Sequence, residues 1–303
     1  MNIVKYLAYV KVIELGNITK AAKELGYSQP GVSHMLDALE DEFGFPLLNR
    51  SKDAITPTEE GKKLLYYCNQ IIKNEYLLRD TVNSIKGLTS GSIRIGGLYS
   101  TMVSFVPDLV HEFSKAYSNI EIYLEECSVS EIKEQLKNGK LDFAFTMDDV
   151  PKGFDFYPLF KDPICLLVSR QHPFASYDKI PVSALNGCDF IIPYRNWNDN
   201  DRIVMSKQPF SPNPKHYIAG DAVGVRLVAS NLGVFITSRL LEGTLPPTVL
   251  AKELDGDFYR TIGICARSFK HVSPASKEFF NVVKRTRDQW RADPPEYIYE
   301  FRK

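Results

Sequence analysis

The sequence predicts an α-helical N-terminal unit, a long connecting helix and a C-terminal α/β unit. Three observations carry that prediction. Residues 1 to 86 read as helix almost throughout, interrupted only by short turns. The strip 87 to 92, Gly-Leu-Thr-Ser-Gly-Ser, then breaks the pattern with glycines and hydroxyl residues. Beyond it, short β-rich runs alternate with helical stretches. With 303 residues the chain is long for one domain, so more than one folded unit is expected.

In the N-terminal unit, Val4, Leu7, Val10 and Ile13 recur at helical spacing and Gly16 ends a first helix. Thr19 to Leu25 form a second, in which Ala21 and Ala22 are small enough for another helix to cross closely. Gly26 ends it. Ser28 is a good N-cap and Pro30 suits the first turn of a third helix running to about Glu40. Short helix, glycine turn and amphipathic helix make a helix-turn-helix. Gly44 and Pro46 close it, and the strip Ser51 to Thr56, between Arg50 and Pro57, is the candidate wing.

Thr58, followed by Glu60, puts a hydroxyl cap and an acid at the positive end of the next helix. From there Leu64, Cys68, Ile71, Glu75, Leu78, Val82 and Ile85 alternate at spacings of four and three, a heptad seam broken by Glu75. Two partners are open to this stripe: the same helix of a second subunit, or the core of the N-terminal unit.

The C-terminal unit begins with a strand at Ile93 to Gly96. A helix from Val103 to Tyr117, a strand at Ile120 to Glu125, a helix from Ser130 to Asn138 and a buried strand at Leu141 to Phe145 follow. Phe105, Phe143 and Phe145 are assigned to the core. This βαβαβ order predicts a parallel sheet with ligands at the carboxyl ends of its strands. The pattern restarts at Ile164 to Val168, Phe190 to Ile192, a helix at Val223 to Ser230 and a strand at Val234 to Ile236. Two similar halves imply a cleft between them.

Composition removes several functions. No apolar run approaches the roughly 18 residues that span a bilayer, and the N-terminus lacks a signal peptide, so a cytoplasmic protein is expected. Cys68, Cys127, Cys165, Cys188 and Cys265 are scattered without CxxC spacing and read as reduced thiols; the histidines are equally dispersed, and no metal is expected. No GxSxG, no phosphate-cradling glycine loop and no paired carboxylates with a partner base appear, and Gly91 to Gly97 lacks GxGxxG spacing, so no enzyme is expected. Net charge is zero, and residues 1–86 carry eleven Lys or Arg against eleven Asp or Glu. That balance lacks the basic footprint common in nucleic-acid binders.

The run from Asn17 to Ser33 (Asn-Ile-Thr-Lys-Ala-Ala-Lys-Glu-Leu-Gly-Tyr-Ser-Gln-Pro-Gly-Val-Ser) resembles the DNA-binding signature of the LysR-type transcriptional regulators. Leu39-Glu40, Phe43-Gly44, Pro46-Leu47-Leu48, Arg50, Thr58 and Gly61 continue the resemblance. It implies that the third helix enters the major groove of promoter DNA, with Ser28, Gln29, Pro30, Ser33 and His34 meeting bases and backbone. Thr19 and Lys20 would approach the backbone, and Arg50 and Lys52 would reach phosphates or the minor groove; solvent exposure is the alternative for each lysine. The chain departs from the family in a recognition helix without Lys or Arg, in Asp37 where many relatives are basic, and in Pro57 where leucine is usual.

The resemblance further implies the layout. Residues 1–58 would be a winged helix-turn-helix, 59–86 a linker helix that pairs subunits through Leu64, Cys68, Ile71, Leu78, Val82 and Ile85, and 87–91 a hinge. Residues 92–303 would be an effector domain like a periplasmic binding protein, with subdomain I at 92–162 and 267–303 and subdomain II at 163–266. A small organic effector, by analogy an acid or amino acid, would meet Ser100, Thr101, Ser128, Tyr194, Arg195 and Ala222. Helix capping is the alternative for the three hydroxyls, and a surface charge for Arg195. Peroxide-sensing relatives carry a cysteine pair in the second half, where Asp189 to Ser230 has none. A dimer or tetramer on the bacterial nucleoid, contacting RNA polymerase and requiring no cofactor or membrane, completes the expectation.

Overall fold

The computed structural model describes residues 2–50, 55–85, 91–193 and 199–300. Lys52, Tyr194, Arg195, Trp197, most of the 87–91 hinge and Phe301 lie outside the described residues.

Three helices open the chain: α1 (Ile3–Leu15), α2 (Ile18–Leu25) and α3 (Gln29–Phe43). The side chains of Asn2, Asn17 and Ser28 accept hydrogen bonds from the backbone N–H groups of Val4, Lys20 and Gly31, satisfying donors that each first turn leaves unpaired. Asn17 is the cap that starts α2 one residue before Thr19. Gly26, at φ 73°, turns the chain between α2 and α3; a side chain in that left-handed conformation costs roughly 1–2 kcal/mol. α3 passes its expected end at Glu40 because the stop is Gly44, whose N–H donates to the Glu40 carbonyl. Ala21 and Ala22 are buried where the helices cross, packed with Tyr9, Val12, Val32, Leu36 and Leu39. The antiparallel pair β1 (Leu48–Arg50) and β2 (Ile55–Pro57) forms the wing.

The long helix α4 spans Glu59–Ile85. Thr58 Oγ1 accepts from the Gly61 N–H at 3.0 Å and donates to the Pro46 carbonyl at 2.9 Å. At Gly61 an added Cβ would lie 2.3 Å from the Leu47 carbonyl oxygen, so glycine allows the helix to start against the wing. The expected dimer seam divides in two. Cys68 is 3% exposed, and with Leu64, Leu65 and Ile72 it packs on the core of its own helix-turn-helix. Leu64 and Cys68 are therefore intramolecular contacts, a correction with a geometric cause: a straight helix of 3.6 residues per turn drifts off a 3.5-residue seam. Ile71, Leu78 and Val82 remain exposed with Tyr67 and Tyr76. The Ile85 side chain lies outside the described residues.

The first half of the C-terminal unit contains β3 (Gly91–Gly97), α5 (Tyr99–Ser104), α6 (Val106–Ala116), β4 (Ile120–Glu126), α7 (Val129–Asn138) and β5 (Phe143–Met147). β6 (Asp155–Ser169) leads into the second half, which adds β7 (Lys179–Ile180), β8 (Asp189–Pro193), α8 (Asp199–Lys207), β9 (Asn213–Ile218), α9 (Asp221–Ala229), β10 (Phe235–Ser238) and β11 (Val249–Leu254). β12 (Tyr259–Ala266) and α10 (Pro274–Ala292) complete the chain's regular elements. The helix expected at Val103 to Tyr117 is two, because Pro107 in the first turn of α6 has no N–H to continue α5.

The main sheet runs β4-β3-β5-β12-β6-β11-β7, with β10 also on β6. β3 pairs parallel with β4 and β5, as the βαβαβ order predicts, and β12 is antiparallel to β5. β6 crosses between the halves: Asp155 to Pro163 pair with β12, and Ile164 to Ser169 with β10 and β11. β12 belongs to the first subdomain, since it sits between β5 and β6 and buries Ile262 and Ile264 in that core. The expected return boundary at 266/267 thus moves to before Tyr259. Phe105, Phe143 and Phe145 are fully buried, with Phe105 edge-on to Phe145 at 5.4 Å; each such ring contributes about 1.5–3 kcal/mol by burial. The C-terminal tail packs on its own chain: Ile298 is fully buried, Tyr297 donates to Asp108 and the Lys161 N–H donates to Glu300. Among the described residues no helix is long and apolar enough to cross a membrane.

Candidate functional site

The structure presents two candidate surfaces. The first is the leading turn of α3. Val32, Leu36 and Leu39 bury one face of the helix, which turns Gln29, Pro30 and His34 to solvent and leaves Ser33 half-buried beside them. Thr19 and Lys20, at the start of α2, are exposed as well. Ser28 spends its oxygen on the Gly31 N–H, so it shapes the turn as a cap while remaining exposed. Arg50 is placed differently from a free phosphate ligand. Its Nη2 lies 2.6 Å from Asp37 Oδ1 and 2.9 Å from Glu40 Oε2, which fastens the wing to the recognition helix. The Glu40 carboxylate also accepts from the Leu47 and Leu48 N–H groups.

The second surface is a cavity of about 690 Å³ between the two subdomains, walled by the starts of α5, α7, α8 and α9. Ser100 lines it, and its hydroxyl accepts a 2.6 Å hydrogen bond from Arg260 Nη2. Ser128 lines it too, while capping α7 in a reciprocal bond with Glu131; lining and capping are both true of this residue. Thr101 is corrected: it is fully buried, turned inward, and its hydroxyl donates to the Leu98 carbonyl. Ala222 is corrected as well, because α9 faces it to solvent and the cavity wall is made by Ala219, Gly220 and Asp221.

The floor of the cleft was missed by sequence reasoning. Arg260 on β12 and Asp162 on β6 are directly paired in register, and Arg260 Nε donates to Asp162 Oδ2 at 2.8 Å. The Ser238 hydroxyl donates to the same oxygen at 2.5 Å. Burial pushes the Asp162 carboxyl up, and Arg260 and Ser238 oppose the rise. Four elements from both subdomains meet in this buried network. A charged residue inside an otherwise apolar strand pattern was its only sequence signal.

Contacts also fix subdomain I to the N-terminal part. Lys140 pairs with Glu14 of α1 at 2.8 Å, Lys73 of α4 pairs with Asp142 at 3.5 Å, and Arg267 donates to Tyr66 and Gln70 of α4. All five cysteines are free thiols. Burial raises Cys68 to about 11 and Cys127 and Cys265 to about 12, far from the range of a reactive thiolate. Among the described residues, no group of three or more His, Cys, Asp and Glu is placed to hold a metal ion.

Comparison with known proteins matches both parts of the chain. The family model of the bacterial regulatory helix-turn-helix protein, lysR family, matches residues 5–62, and that of the LysR substrate binding domain matches residues 86–288. An HTH-type transcriptional regulator of Bacillus subtilis (strain 168), YvbU, is 27% identical over 94% of this chain and 98% of its own. A full-length OxyR variant from Pseudomonas aeruginosa superposes with a TM-score of 0.72 at 20% identity, covering 99% of this chain and 97% of the other. Full-length CbnR in complex with its target DNA superposes at 0.68 and 19% identity, covering 94% and 100%.

Proposed function

Since this chain belongs to the LysR family of transcriptional regulators, we propose that it reads promoter DNA through the leading turn of α3 and adjusts that reading to a small organic molecule held in the cleft. The exposed, capped N-terminus of α3, backed by a buried apolar face, is the observation that carries the first half. Gln29 and Ser33 supply the donors and acceptors that discriminate base edges. His34 adds a contact, and Thr19 and Lys20 meet the phosphates. The DNA complex of CbnR supports this docking. With no Lys or Arg on α3, single-subunit contacts are modest, and pairing of subunits multiplies them. Pairing uses the exposed Ile71, Leu78 and Val82 of α4, in a dimer or tetramer that works on the nucleoid in the cytoplasm and meets RNA polymerase there.

For the second half, subdomain I moves as one body with α1 and α4 through Lys140, Lys73 and Arg267, so cleft closure displaces subdomain II against a fixed frame. A ligand that prefers one closure shifts the populations of two subunit arrangements, by no more than its differential affinity for them. Burial raises the thiols, which speaks against a redox trigger.

The test is binding of the full-length protein to duplex DNA from upstream of its own gene, against scrambled duplex at matched salt. Replacing Gln29 and Ser33 together by alanine should remove the preference for the upstream duplex, about 1–3 kcal/mol per lost base contact. An unchanged preference would refute the docking.

A further inference from the structure

Among the described residues, the charges lining the cleft pair off in an informative way. Lys133 binds Asp149 at 2.8 Å, Arg202 lies 3.9 Å from Asp199, and Arg260 is held by Asp162. Three of the four helix starts on the cavity already carry the chain's own carboxylates, with Glu131 closing α7, Asp199 opening α8 and Asp221 opening α9, while the start of α5 carries none. Two carboxylates on the wall are left over. Among the described residues neither Glu126 nor Asp221 has a cation within ion-pair distance. Among the described residues, the Asp221 side chain accepts a single hydrogen bond, from Thr237 at 3.5 Å, the limit of such a contact.

Two further features stand on the same wall. Asn200 lines the cavity and is 7% exposed, and its Oδ1 has no hydrogen-bond partner. A buried acceptor left unpaired costs about 1–3 kcal/mol, so a donor arriving from outside the chain would be stabilised there. Tyr99 lines the cavity close enough to Glu126 and Asp221 for both to raise its hydroxyl, after burial itself. Burial raises the Asp221 carboxyl as well, with Glu126 adding to the rise and Arg260 opposing it. An arriving positive charge relieves that repulsion.

We propose that the cleft recognises an organic cation bearing N–H donors, an alkylammonium or guanidinium, through Asp221, Glu126 and the Asn200 amide oxygen, with the Tyr99 ring beside it. This rests on the cleft being the effector site and departs from the acid or amino acid expected by analogy. The N–H requirement follows from Asn200, whose oxygen gains nothing from a quaternary ammonium. The aromatic ring favours a cation over a neutral donor.

The test uses three probes of equal chain length: 1,4-diaminobutane, 4-aminobutanoate and butanedioate. Calorimetry and cleft-residue NMR shifts are recorded on the full-length protein, with Asp221→Asn and Glu126→Gln alongside. The diamine should bind and perturb the cleft, and each variant should weaken it by about tenfold or more, the worth of one charge-assisted hydrogen bond. The empty Asp221→Asn protein should be no less stable than the parent, which separates lost binding from lost fold. Butanedioate binding in the cleft while the diamine does not would overturn the cation assignment and keep the effector site. Silence of the cleft toward all three probes would overturn both.

Discussion

Arg50 on the wing reaches Asp37 on the recognition helix, Nη2 to Oδ1, at 2.6 Å. Asp37 is one turn beyond Ser33 and His34 and exposed, so a negative charge sits beside the proposed base-reading turn and consumes the wing's cation. Replacing Asp37 by Asn should release Arg50 toward the phosphates. Duplex affinity should rise, and the slope of log K against log salt should steepen by about 0.9 for each phosphate gained. Titration across a salt series checks this, and an unchanged slope means that Arg50 stays on Glu40. Glu40→Gln is the contrasting variant. It weakens the acceptor for the Leu47 and Leu48 N–H groups and should lower the melting temperature of the N-terminal domain.

The split stripe of α4 makes a second prediction. Leu78 is 63% exposed and Cys68 is 3% exposed on one helix. Leu78→Glu should dissociate the subunits with little change in the unfolding of a single chain, because its side chain is mostly exposed on its own chain. Cys68→Asp buries an uncompensated charge in the helix-turn-helix core and should cost several kcal/mol of its stability, about 3 or more. Analytical ultracentrifugation and thermal unfolding separate the two effects. A Leu78→Glu protein of unchanged mass in solution would remove α4 from the interface.

Much of this architecture was legible because its signals are local. Ser28, Gly16, Gly26 and Gly44 punctuate the helices through their own backbone chemistry, and the ordered run around Ala21 and Ala22 fixes the motif. What failed depends on contacts far apart in sequence. Cys68 reads as a seam residue until α4 is laid against α1, and Ala222 reads as a pocket residue until the rotation of α9 turns Asp221 inward instead. β12 carries no mark that it returns to the first sheet, because parallel and antiparallel partners look alike along a single strand. Arg260 and Asp162 are separated by 98 positions, and only the pairing of β6 with β12 makes them neighbours.

His172 supplies a pH-dependent term. Its Nδ1 accepts the Phe174 N–H at 3.2 Å as the cap of a short 3-10 turn, and burial holds its pKa below the ordinary 6.5. The folded state therefore keeps the ring neutral while the unfolded chain takes up a proton at 6.5. Its contribution is complete above that pH and is lost as pH falls through 6.5 toward the lower folded value. Thermal unfolding recorded from neutral to mildly acidic pH should show the decline, and His172→Asn, which keeps an acceptor but does not titrate, should flatten it. A His172→Asn profile parallel to the parent's would assign the decline to other groups.

The cleft floor makes the sharpest energetic prediction. Arg260 and Asp162 are 6% and 1% exposed, and among the described residues each is the other's only charge partner at bonding distance. Removing Arg260 alone, as Arg260→Met, leaves the Asp162 carboxylate buried without its cation, and should cost about 3–5 kcal/mol. Removing both, as Arg260→Met with Asp162→Leu, eliminates the stranded charge and should recover much of that loss. Chemical denaturation of the parent, the two single variants and the double variant gives the coupling energy directly. Additive single losses would mean that Arg260 answers mainly to Asp221 and the cavity, and its guanidinium would then belong to ligand recognition rather than to the joint between the subdomains.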